Sequence, residues 1–255
     1  MRWTAVFRKE LRLYFSSPVA YVVSAFFLLI SGWFFTNIFQ FFHLQSMQSA
    51  MNPMMGQSLN PSEAVMRPLL TNMSVVLLFF IPMLTMRLFA EEKKQGTMEL
   101  LLTYPVRDGE VLAGKYLAAG VLYVLLLVLT LLYPAMLASF TRLEWSSVLT
   151  GYLGLVLVGA SFLAIGVFIS SLTENQIAAG FSTFAVLLVL WVIGWGAEFA
   201  SGGWRTLIQY LSIIEHMDGF AKGVVDTKDL VYYLSAIALA LFLTLRSLDS
   251  KRWRG

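Results

Sequence analysis

Six apolar runs, each of about 20 residues and so long enough to cross a hydrocarbon core, constrain this chain more than any other feature. They cover roughly residues 19–42, 72–90, 116–138, 148–170, 177–197 and 230–247. Backbone polar groups cannot go unpaired in lipid, and the runs lack the alternation of barrel strands, so each is expected to be a helix. The fold class is therefore all-α and integral to a membrane, with residues 1–255 forming one transmembrane domain. Composition agrees: 13% of the residues are charged, against about 25% in soluble domains. The net charge of +3 is too small and dispersed for a nucleic-acid binder. Cysteine is absent, which excludes disulfide frameworks, thiolate nucleophiles and Cys-ligated metals. The first run follows a basic start but is too long for a signal-peptide core and has no A-x-A closure, so it is expected to remain as an anchor.

The basic residues orient the bundle. With the N-terminus inside, Arg2, Arg8, Lys9, Arg12, then Arg87, Lys93, Lys94, Arg107, Lys115, then Arg246, Lys251, Arg252 and Arg254 fall on one side. Arg67, Arg142, Arg205, Lys222 and Lys228 fall on the other. By the positive-inside rule both termini are expected in the cytoplasm.

Three segments outside the runs carry information. Over residues 1–17, Trp3, Phe7, Leu11 and Tyr14 recur at helical spacing with Arg2, Arg8, Lys9 and Arg12 on other faces, which predicts an interfacial amphipathic helix ended before Pro18. A solvated helix packed on a partner fits the same pattern. Between the fifth and sixth runs, Trp204, Leu207, Leu211 and Ile214 form a stripe that predicts a short amphipathic or re-entrant helix at the outer rim. Asp226 then suits an N-cap for the last helix.

The third segment lies between runs two and three. A helix is expected to leave the membrane through Arg87 and the cluster Glu91 to Lys94, and to break near Gly96. Thr97 would cap a short helix, Met98 to Thr103, that Pro105 ends, and Leu100, Leu101 and Leu102 on it are too apolar to be left in water. The segment resembles the signature of ABC-2 type permeases, the transmembrane subunits of ATP-driven transporters. Ala90, Glu91, Glu92, Gly96, Thr97, Glu99, Leu100, Leu101, Leu102, Thr103 and Pro105 all match, and Met98 departs where leucine is usual. Together with Gly114-Lys115, the Gly223 to Tyr233 stretch and the basic C-terminus, it is most similar to the gliding-motility-associated and nitrous-oxide-reductase-maturation subgroup.

The resemblance implies a non-catalytic subunit in the cell's inner membrane, whose loop acts as a cytoplasmic coupling helix docked on a separate ABC ATPase through Glu91, Glu92, Glu99 and Leu100 to Leu102. It also implies two ATPase copies holding ATP and Mg, a second copy of this chain or a homologue, and export driven by ATP hydrolysis. No cofactor is expected on this chain. The competing reading is a non-transporting mechanotransmitter that moves an accessory or periplasmic partner.

Other patterns are weaker. Gly109 to Lys115 has P-loop spacing, but Tyr116 replaces the Ser or Thr that would reach magnesium and no strand precedes it. Glu215, His216 and Asp218 are expected to form an interfacial polar cluster in preference to a metal site. Met47, Met51, Met54 and Met55 suit apolar packing better than Cu(I). Ionisable groups inside the runs are nearly missing, which argues against an ion-coupled carrier.

Overall fold

The structure, a computed structural model, describes residues 3–51, 60–97, 107–199 and 201–252. All regular elements among them are helical: α1 (Trp3–Ser16), α2 (Pro18–Met51), α3 (Arg67–Thr85), α4 (Ala90–Lys94), α5 (Asp108–Thr130), α6 (Leu132–Ala138), α7 (Trp145–Leu172), α8 (Gln176–Val192), α9 (Gly203–Leu211), α10 (Ile213–Ala221) and α11 (Thr227–Arg252). A π-helical turn, Ser62–Met66, precedes α3, and a 3-10 turn, Ile193–Glu198, follows α8. Six segments are long and apolar enough to span a membrane: Pro18–Ser49, Ser62–Lys94, Asp108–Ala138, Trp145–Leu172, Gln176–Ala197 and Thr227–Ser250. They overlie the six apolar runs and extend them at their polar ends.

The bundle is built around α3 and α7. Of their apolar windows, 72% and 67% are buried, against 22% for α2, α8 and α11. α7 can sit at the centre because its glycines let neighbours approach closely. Tyr123 of α5 lies where a Cβ at Gly159 would be, and Thr85 of α3 where one at Gly166 would be. Tyr123 then donates its hydroxyl to the Leu155 carbonyl at 2.6 Å.

The chain departs from the sequence expectation in three places. α2 continues well past residue 42, to Met51. Met47 is exposed on that extension, and Met54 and Met55 lie outside the described residues. Second, the helix expected to run unbroken to Gly96 stops at Thr85, turns through residues 86–89 and restarts as α4. Ser170 of α7 makes the break possible: its Oγ accepts from the amides of Phe89 (3.1 Å) and Ala90 (3.2 Å) and donates to the Met86 carbonyl. Third, the stretch between the fifth and sixth spans forms two short helices, with Ser212 in extended conformation between them. α9 buries no residue and leaves Trp204, Leu207 and Leu211 exposed, while α10 buries Ile213, Met217 and Phe220 against the bundle. Asp226 accepts the Lys228 amide at 3.1 Å and so caps α11 as expected.

A buried ion cluster as the candidate functional site

α1 lies across the first turns of α5, and Gly114 sets the distance: a Cβ there would stand 2.9 Å from the Val6 side chain. The next residue, Lys115, is 1% exposed. A buried ammonium is tolerated only if paired, and this one is held from several sides. Its Nζ lies 2.8 Å from Glu10 Oε1 of α1, 3.0 Å from Glu92 Oε2 of α4 and 2.6 Å from the Leu88 carbonyl in the turn before α4. The Phe89 ring faces it at 5.2 Å. The other oxygen of Glu92 pairs with Lys9 at 2.9 Å. Burial draws the Lys9 ammonium toward neutrality, but the hydrogen bond and charge of Glu92, aided by Glu10, prevail and hold its pKa above the ordinary lysine value. Glu10, Lys115, Glu92 and Lys9 thus form a continuous, electroneutral chain joining α1, α4 and α5.

The elements around α4 are tied as closely. Arg87 pairs with Glu91 at 3.0 Å and donates to Ser17 Oγ at 3.2 Å. Lys93 donates to the Ser171 carbonyl at the end of α7. Gly96 follows α4 with φ of +69°, the left-handed geometry of a helix-terminating glycine, which breaks the chain where the sequence indicated. The Thr97 hydroxyl bonds back to the Glu92 carbonyl at 3.2 Å.

Of the sequence-singled residues, Glu91 is half-buried beside Arg87, and Glu92 points inward to Lys9 and Lys115. Glu99, Leu100, Leu101, Leu102, Thr103 and Pro105 lie outside the described residues. Trp3, Phe7, Leu11 and Tyr14 are half-buried, and Tyr14 donates to the Leu84 carbonyl at 3.1 Å, so at least part of this stripe rests on the bundle. Sequence reading missed Glu10. The signal was present, since residues 3, 7, 10 and 14 share one helical face and a carboxylate there interrupts an apolar stripe. Lys115 drew notice among the inside basic residues, in the family resemblance and in the P-loop spacing, but not as the centre of an ion cluster; the P-loop-spaced stretch is the regular first turns of α5.

At the opposite end of the bundle, Glu215, His216 and Asp218 do not converge. His216 Nδ1 meets Asp229 Oδ1 at 2.6 Å and Nε2 meets the Tyr210 carbonyl at 3.0 Å, with the ring stacked on Tyr232. Asp218 turns instead to Arg67, at 2.6 Å, and Lys222. Among the described residues no group of three His, Asp or Glu is arranged to hold a metal ion.

Six helices long and apolar enough to cross a membrane define a multi-pass membrane protein. A model of the ABC-2 family transporter proteins matches residues 4–251, and the chain belongs to that family. It is accordingly a permease subunit of an ATP-binding-cassette transporter, embedded in the membrane and partnered by an ABC ATPase; such members are typically non-catalytic. The match reaches the family and not a subgroup within it. No curated protein matches the chain.

Proposed function

We propose that this chain couples ATP hydrolysis on a separate ATPase subunit to export of a substrate, with residues 91–105 as the docking segment and the end bearing α1 in the cytoplasm. The observation that carries the reading is the Glu10–Lys115–Glu92–Lys9 chain. It links the segment leading into residues 98–105 to both α1 and α5, so a push on that segment is delivered to two further helices as one body. The basic residues support the orientation. Ser247 near the end of α11 reaches the Ser171 carbonyl, which Lys93 also contacts, so Arg246 and the end of α11 gather with Lys9, Arg87 and Lys93. In this reading two ATPase copies hold ATP and Mg, and the permease pairs with a second copy or a homologue. Glu91, Glu99 and the Leu100 to Leu102 face are the docking contacts, while Glu92 transmits the movement inward. The test is Glu99→Lys with Leu101→Asp, followed by co-purification with the ATPase. Loss of association is expected, and undiminished association and turnover would remove the docking assignment.

A further inference from the structure

A cavity of about 610 Å³ opens in the wedge between the α1–α2 elbow and the last turns of α3, a size ordinary for small-ligand sites. Its inner wall is apolar, formed by the buried side chains of Val23, Phe80 and Leu84. Val19 and Met83, each 43% exposed, form its lips on the span surfaces. Its rim is ionic, and the charges balance: Lys9 stands against Glu92 at 2.9 Å and Arg87 against Glu91 at 3.0 Å. A site for a plain anion would carry an excess of cations. An apolar floor beneath paired charges, at the edge of the membrane-spanning region, instead matches an amphiphile whose head carries one charge of each sign.

We propose that this cavity binds a phospholipid with a primary-amine zwitterionic headgroup, of the phosphatidylethanolamine class. The phosphate lies against Arg87 and Lys9, the ammonium against Glu91, and an acyl chain leaves between Val19 and Met83. Arg87 directs Nε to Glu91 and Nη1 to Ser17, and a guanidinium has five N–H groups, so donors remain for phosphate oxygens. The Lys9 side chain is 52% exposed and can turn toward the same oxygens. Glu91 is 31% exposed, and its Oε1 has a long 3.4 Å contact from Gln95 that an ammonium displaces readily. Choline offers no N–H to Glu91, and a glycerol headgroup brings a net negative charge without the cation. The site stands on the cavity and on membrane embedding; it shares Glu91 with the docking contacts proposed above, so lipid binding is measured on the permease without its ATPase, where failure of the docking assignment leaves it unaffected.

The full-length protein, stripped of lipid in detergent, is titrated separately with phosphatidylethanolamine, phosphatidylcholine and phosphatidylglycerol of identical acyl chains, and bound lipid is counted by native mass spectrometry. Phosphatidylethanolamine should bind about tenfold more tightly than the other two, the equivalent of one charge-assisted hydrogen bond. Glu91→Gln should reduce it to the level of phosphatidylcholine, and Met83→Trp, which narrows the mouth, should weaken all three. Equal binding of the three lipids by the unmodified protein, tighter phosphatidylglycerol, or an ethanolamine preference that survives Glu91→Gln each overturns the proposal. The unmodified protein's ranking decides the matter if a variant fails to fold.

Discussion

Lys115 shows what a single buried charge demands of its surroundings. Its neutral replacement, Lys115→Met, leaves Glu10 without its cation and Glu92 with Lys9 alone, and breaking a buried pair in this way costs about 3–5 kcal/mol. The thermal midpoint in detergent should fall accordingly. Adding Glu10→Gln should recover much of the loss, because Glu92 keeps Lys9 and the orphaned carboxylate is gone. If the single variant melts with the unmodified protein, the cluster contributes nothing to stability. Little of this is legible in the sequence. Glu10 is marked by its place on an apolar stripe, but its partner is 105 residues away, and no spacing rule connects them.

At the scale of elements, the spans were readable and their interruptions were not. Lipid forbids unpaired backbone, so an apolar run of the right length has one outcome. The break after Thr85 depends on a hydroxyl from another helix. Ser170→Ala should leave the Phe89 and Ala90 amides without their acceptor at a cost of about 1–3 kcal/mol, read as faster hydrogen exchange over residues 86–90 with the rest of α3 unchanged. Uniform exchange across that turn in both proteins would rule the role out. Helix packing gives a paired prediction. Gly159→Ala drives a methyl into the Tyr123 ring and should destabilise by about 1–3 kcal/mol. Gly196→Ala, with nothing within 4 Å, should stay within about 0.5 kcal/mol. The α9–α10 division was missed because its stripe was read as one face. The residues that anchor α10, Ile213, Met217 and Phe220, lie on another.

Over the whole molecule, the two ends are held by ion pairs of different depth. At the α10 end, burial alone would raise the Asp218 carboxyl. Hydrogen bonds from Lys222 and Arg67 outweigh it and hold the group below the usual carboxylate range, which is about 3.9 for an unfolded Asp. A depressed folded pKa means the contribution is fully present above about pH 4 and is lost as pH falls through the lower, folded value. Because the Asp218 side chain is 41% exposed, the effect is modest and salt-sensitive. Protection of the α10 amides relative to their intrinsic exchange rates should therefore hold steady between pH 5 and 8 and fall below about pH 4, and Asp218→Asn should show the lowered protection already at pH 7. No difference between the two proteins at pH 7 would dismiss the tie. The cluster at the α1 end has a property that the one at the α10 end, with two cations on one carboxylate, lacks. Two lysines and two glutamates cancel, so the cluster itself adds no net charge to a movement of the helices it joins. A lone Lys115 crossing the full membrane potential would meet about 2.3 kcal/mol per 100 mV; the balanced set, carried together, would do no net electrical work of its own.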